Sequence, residues 1–128
     1  MILLDTCTLL WLVTSPEQLS ERAQVIFSES EENRFFSAIS SFEIGLKMRK
    51  RQIQLPTPFF SWIEKAKNKY LLQELVVNSE IAYFSTQLPL IHKDPSDRIL
   101  IATAQIHKLT LLTPDPFIRQ YPDVKVEW

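Results

Sequence analysis

The chain has 128 residues, with 14 Lys and Arg against 15 Asp and Glu, and apolar residues make up 45% of it. That length and apolar fraction fit one folded domain, residues 1–128, able to bury roughly two-thirds of its unfolded surface without a disulfide or structural metal, and they exclude a disordered chain. No run reaches the roughly 18 apolar residues of a transmembrane helix, the start MILLDTCTLLWLV has no basic leader, and a lone Cys7 can form no internal disulfide, so a cytoplasmic protein with no membrane partner is expected.

In chain order, Ile2-Leu3-Leu4 is a short continuous apolar run, as expected for a strand buried on both faces. Thr6 to Val13 reads as a helix, and Pro16 to about Ser30 as another. Arg34 to Ser37 is a second strand. Ser40 to about Arg51 is helical, and its basic end (Lys47, Arg49, Lys50, Arg51) suits a helix C-terminus. Pro56 and Pro58 break the chain. Phe59, Trp62, Ile63 and Ala66 then recur at helical spacing within a helix from Phe59 to Tyr70. Leu75 to Val77 is a third strand, Ser79 to Leu88 a short helix, and Asp94-Pro95 opens a long helix to about Lys108. Leu109 to Thr113 is a fourth strand, Pro116 to Tyr121 a short helix, and Val124 to Val126 a fifth, edge strand. A single Gly argues against a sheet of tight hairpins. Strands alternating with helices predict an α/β fold: a central, mainly parallel sheet of four to five strands with helices on both faces.

Four carboxylates recur at the ends of these elements. Asp5 follows the first strand, Glu43 lies in the first turn of the helix after the second, Asp97 in the first turn of the Asp94-Pro95 helix, and Asp115 after the fourth strand. Each has a purely structural explanation. Asp5 and Asp115 can cap helices, Ser40-x-x-Glu43 matches a capping box, and Asp97 would favour a helix dipole behind an Asp94 cap and Pro95. Jointly they say more, because ligands of an open parallel sheet bind beyond the carboxyl ends of its strands. Carboxylates gathered there would raise one another's pKa, and a divalent cation would relieve that. Hard oxygen ligands suit Mg²⁺ or Mn²⁺, and such an ion can activate water and stabilise phosphoryl charge. The formal net charge of −1 lacks the basic excess common in nucleic-acid binders; with four acids sequestered in a metal site, the remaining surface is net basic.

The opening ILLDTCTLLWLV, the middle SAISSFEIGLKMRKRQIQL and the stretch HKDPSDRILIATAQIHKLTLLTPD, in that order, resemble a PIN domain, and more narrowly the VapC toxins of type II toxin–antitoxin pairs. The most specific piece is Asp94-Pro95-Ser96-Asp97-Arg98 followed by the apolar Ile99 to Ala104. The resemblance implies a PIN-like three-layer α/β/α sandwich and a metal-dependent endoribonuclease. In it Asp5, Glu43, Asp97 and Asp115 bind Mg²⁺ or Mn²⁺ and cleave RNA, and the protein forms a homodimer held in check by a cognate antitoxin near the active site. Asp94 reads as the helix cap. Two departures are Ser96, where an aromatic is more usual, and Pro114, which restricts Thr113 to an extended conformation.

Other residues have weaker claims. Thr6 and Thr113, beside Asp5 and Asp115, could orient the carboxylates. Lys47, Arg49 and Arg51 could hold RNA phosphates if they rim the acids, and Arg98 could pair with a carboxylate or a phosphate. His92 and His107 read as surface or capping residues, Ser40 as an N-cap, and Cys7 as a buried core thiol. Trp11, Phe59, Phe60 and Trp62 read as core packing, or as an apolar patch for a partner. The competing function is a non-catalytic PIN-fold module that binds RNA or protein, against which the presence of all four acids argues. A receiver or phosphatase domain is disfavoured, since Asp5-Thr6-Cys7 lacks a second Asp.

Overall fold

A computed structural model describes residues 1–128. Its five strands are β1 (Ile2–Leu4), β2 (Arg34–Ser37), β3 (Leu72–Leu75), β4 (Thr110–Leu112) and β5 (Lys125–Glu127). They form one sheet in the order β3-β2-β1-β4-β5, and all four pairings are parallel. The helices are α1 (Thr6–Thr14), α2 (Glu21–Glu29), α3 (Ala38–Arg49), α4 (Phe59–Tyr70), α5 (Ser79–Thr86) and α6 (Pro95–His107).

Strand periodicity divides the core in two. Successive side chains of a strand point to opposite faces. Ile2 and Leu4 therefore join Phe36 and Leu112 in one cluster, closed by Leu9, Ile44 and Trp62 of α1, α3 and α4. Leu3 joins Leu111 in the other, closed by Ile81 of α5 and Leu100, Ile101 and Ala104 of α6. The registers Leu3↔Phe35, Leu3↔Leu111, Leu4↔Phe36 and Leu4↔Leu112 keep these sets aligned. The apolar run of β1 is thus explained by its central place, with both faces covered by helices.

The chain leaves β1 toward β2 and β3, then returns to β4 on the other side. The connections part company between β1 and β4, which is where an open parallel sheet has its crevice. Asp5 and Thr113 lie just beyond the carboxyl ends of those two strands.

Several predicted boundaries move, each for a local reason. The helix expected over 16–30 is interrupted. Pro16–Gln18 is one 3-10 turn, Leu19 is extended and buried, and the Ser20 hydroxyl accepts from the Ala23 N–H to start α2 anew. The helix expected from Ser40 starts at Ala38, because Ser37 takes the capping bond from the Ile39 N–H at 3.1 Å. Ser40 is instead buried and accepts from Thr6 Oγ1 at 2.9 Å, and Glu43 falls in the second turn rather than the first. The third strand lies at Leu72–Leu75, not 75–77, since α4 ends in a left-handed residue, Leu71, that turns the chain directly into it. Helix α5 stops at Thr86, and the expected helix 116–121 is a 3-10 turn at Ile118–Gln120.

Three residues close helices with positive φ: Arg51 (56°), Leu71 (56°) and Lys108 (55°). Glycine usually fills such positions. The chain's one glycine, Gly45, sits inside α3 instead, where an added Cβ would meet nothing within 4 Å.

Candidate metal centre

The N-terminal ends of α1 and α6, the second turn of α3 and the segment after β4 converge on one cleft of about 550 Å³. Asp5, Glu43, Asp97 and Asp115 all line it, together with Asp94, Thr6, Cys7 and Lys47. Each acid is held by the element that presents it. Asp5 is buried, and its Oδ1 accepts from the Thr8 N–H at 2.7 Å, capping α1. Its Oδ2 accepts from the Thr113 hydroxyl. That hydroxyl in turn accepts from the Asp115 N–H at 3.1 Å, so Thr113 ties two of the acids together. Asp115 Oδ1 accepts from the Phe117 N–H at 2.8 Å. Asp94 Oδ1 accepts from the Ser96 N–H at 2.9 Å and caps α6, which sets Asp97 in its first turn. The capping roles of Asp5 and Asp94 are therefore real and coexist with a shared cleft, whereas Asp115 closes the turn at Phe117 instead of capping the 3-10 turn at Ile118–Gln120. The capping box expected at Ser40 and Glu43 does not form, because Ser37 has taken that role.

Electrostatically the cleft sets five carboxylates, those of Asp5, Glu43, Asp94, Asp97 and Asp115, against the single ammonium of Lys47. Burial, then the charges of Asp94 and Glu43, push Asp97 up to about 7. Burial also raises Asp5, against the hydrogen bonds from Thr113 and Thr8. Glu43 is raised by burial and then by Asp94, and its Oε1 is buried with no hydrogen-bond partner. Unpaired buried carboxylate oxygen is costly. A donor set of carboxylate oxygens short of positive charge fits a hard divalent cation.

Of the residues expected to orient the acids, Thr113 contacts Asp5, whereas Thr6 spends its hydroxyl proton on Ser40. Of the basic residues, Lys47 lines the cleft and Lys50 lines a neighbouring hollow with Glu43 and Asp94. Arg49 is exposed outside the cleft, and Arg51 borders a separate groove with Ile53 and Leu55. Arg98 corrects the expectation that it would meet a carboxylate or phosphate. It is buried, and its guanidinium donates to the carbonyls of Ser85, Leu88, Pro89 and His92 at 2.8–3.3 Å. It therefore winds the 85–92 segment against α6, with both terminal nitrogens bonded within the protein.

Cys7 is half-buried at the cleft rather than in the core, and burial and Asp5 raise its thiol to about 11, which keeps it protonated. The aromatics divide: Trp62 is core, Trp11 rests on Trp128 with ring centroids 6.0 Å apart, and Phe60 is 81% exposed.

His92, expected at the surface, is the residue that sequence reasoning missed. Its Nε2 lies 2.9 Å from Asp115 Oδ2 and 3.1 Å from Asp97 Oδ2. One ligand atom from each of these three residues lies within 4.8 Å of the others. The available signal was its position two residues before the Asp94 cap, where the turn into α6 folds back over Asp97. His107, by contrast, ends α6 as expected.

Residues 2–124 match the PIN domain family. Ribonuclease VapC22 of Mycobacterium tuberculosis (strain ATCC 25618 / H37Rv) is 29% identical over 121 residues, covering 94% of this chain and 91% of that protein. DNA-bound VapBC from Salmonella typhimurium has a similar fold, with TM-score 0.70 at 16% identity over 98% of this chain and 96% of that one. So do a toxin–antitoxin complex from Klebsiella pneumoniae (TM-score 0.67, 20% identity, 97% and 95% covered) and FitAcB from Neisseria gonorrhoeae (0.62, 23%, 98% and 96%).

Proposed function

Because the chain belongs to the PIN domain family, we propose that it is a Mg²⁺- or Mn²⁺-dependent endoribonuclease and the toxin of a toxin–antitoxin pair. The observation that carries the proposal is the convergence of Asp5, Glu43, Asp97 and Asp115, from four separate segments, on one cleft whose only basic lining residue is Lys47. Similarity to a ribonuclease and to toxin–antitoxin complexes supports it.

The four acids would hold the ion. When bound, it would supply Lewis-acid stabilisation of charge on the phosphodiester and make the attacking water more acidic. The rest is the work of the chain. Thr113 keeps Asp5 and Asp115 aimed into the cleft. Lys47, with Lys50 beside it, would take RNA phosphates as sequence-independent contacts. The raised thiol of Cys7 keeps it out of the chemistry as a nucleophile.

Residues 1–128 would act as one domain in the cytoplasm, and no helix is long and apolar enough to cross a membrane. Phe42 and Leu46 are exposed on α3, on either side of Glu43. This apolar strip beside the cleft is our candidate for the antitoxin contact. Tyr83 and Phe84 of α5, exposed on the opposite layer, are the candidate for a homodimer contact.

The test is cleavage of total cellular RNA by partner-free protein in Mg²⁺, Mn²⁺ or EDTA, beside Asp97→Asn. Cutting that needs both the metal and Asp97 is expected. Cutting that persists in EDTA or in the variant refutes the mechanism. Absence of cutting by folded wild-type chain in every metal favours the non-catalytic binding module. Light scattering with and without the product of a neighbouring gene tests the two contacts.

A further inference from the structure

We propose that His92 is a positioning residue of the metal centre: its Nε2–H donates to Asp115 with Asp97 alongside and fixes their spacing, and it does not ligate the ion. The assignment rests on the metal-nuclease reading and adds to it a donor outside the acidic set.

Proximity alone would make His92 a ligand, since its Nε2 is about as close to both carboxylates as they could be to a shared partner. The other ring nitrogen decides otherwise. The Asp94 backbone N–H donates to Nδ1 at 3.1 Å. A nitrogen that accepts that bond carries no proton, so in the neutral ring the proton is on Nε2. Ligation through Nε2 would need that lone pair free and would send the proton to Nδ1, where it would face the Asp94 N–H. Two donors would then oppose each other across the turn, and the Asp94 amide would lose its acceptor.

The ring is also held in place independently of the acids. The His92 N–H donates to the Tyr121 hydroxyl at 2.9 Å, its carbonyl accepts from Arg98 at 3.3 Å, and Phe117 meets the ring edge-on with centroids 5.8 Å apart. With its backbone, its Nδ1 and its ring edge engaged, Nε2 is left pointing between the two carboxylates. A single N–H that donates to Asp115 at 2.9 Å, with Asp97 Oδ2 3.1 Å away, offsets their repulsion and sets their separation before an ion arrives, as outer donors commonly do for metal-binding carboxylates.

Two measurements on the full chain test this. The first is NMR of ¹⁵N-histidine-labelled protein, with the His92 signals identified by their loss in His92→Gln. Nε2 is expected to stay protonated and Nδ1 bare, both without metal and with Mg²⁺. Loss of the Nε2 proton on metal addition, or ¹⁴N coupling to bound Mn²⁺ in pulsed EPR that vanishes in His92→Gln, overturns the assignment in favour of ligation.

The second is Mg²⁺ and Mn²⁺ affinity by calorimetry. His92→Leu is expected to weaken binding about 10- to 100-fold. His92→Gln, whose amide N–H reaches the Nε2 position, recovers most of that loss. His92→Asn, which restores only the acceptor for Asp94, does not. Recovery by Asn and not by Gln, or unchanged affinity in His92→Leu beside normal wild-type binding, overturns the role of Nε2 alone. A wild-type chain that binds neither ion overturns the metal-nuclease reading and this assignment with it.

Discussion

Asp97→Asn should abolish cleavage and yet stabilise the metal-free protein at neutral and higher pH. Asp97 ionises at about 7 in the folded chain against an ordinary 3.8, mainly through burial and then through Asp94 and Glu43. Between those two values the native state holds a proton that the unfolded chain has released. Wild-type stability from this group is therefore complete below about pH 4 and is lost as the pH rises to 7. Each tenfold difference in proton affinity is worth about 1.4 kcal/mol, so the ceiling is about 4 kcal/mol. The side chain is 18% exposed, and water in the open cleft lowers the figure, which leaves about 2 kcal/mol as the expected gain for Asn at pH 8. For a chain of this length that is a rise in Tm of about 7 °C. Thermal unfolding in EDTA, followed by circular dichroism at pH 4 and pH 8, reads it directly. The gain should vanish at pH 4, and Mg²⁺ at a hundred times its Kd should return about 2.7 kcal/mol to wild type and not to the variant. A variant less stable than wild type at pH 8, or a gap equal at both pH values, would refute the reasoning that the cleft stores charge repulsion for an ion to relieve.

Other substitutions probe the supports. Thr113→Val removes the donor to Asp5 and the acceptor for the Asp115 N–H, so Mg²⁺ affinity by calorimetry should fall about 10- to 100-fold while the circular dichroism spectrum stays unchanged. Arg98→Met strands the carbonyls of Ser85, Leu88, Pro89 and His92 and should cost about 3 kcal/mol or more in urea unfolding; a loss under 1 kcal/mol would show that water replaces the guanidinium. Lys108→Gly relieves a left-handed lysine at the end of α6 and should raise stability by about 1 kcal/mol. Gly45→Ala fills open space on α3 and should add about 0.5–1 kcal/mol; a decrease would mean that the face is already covered in solution by another chain.

The chain order of elements and the two-faced core are legible from side-chain pattern, because Leu3 opposes Ile2 and Leu4 in any strand and the helices carry their own periodicity. The four acids are legible for a related reason: each stands where an element ends, and a parallel sheet brings those ends to one edge. Strand β3 is poorly legible because its Gln73 and Glu74 face solvent at the sheet edge, so apolar content pointed two to three residues too far along the chain. Ser37 and Ser40 are both reasonable caps by sequence. What separates them is the pairing of β2 with β3 through Ser37 and the hydroxyl of Thr6, 34 residues from Ser40. His92 and Arg98 illustrate the same limit. Their partners are backbone groups and carboxylates brought near by the turn into α6, and neither residue type nor spacing encodes which way a ring or a guanidinium will face.

The guanidinium of Arg98 and the carbonyls it gathers have one property that the acids of the cleft lack: none of them changes charge over the pH range in which carboxylates do. The cleft is lined by Asp5, Glu43, Asp97 and Asp115, whose surroundings change with each ion that comes and goes. The 85–92 segment lies outside that lining, and Arg98 moors it through contacts that do not change. An anchor that stays put while the carboxylates beside it gain and lose charge presents His92 to them from the same place each time.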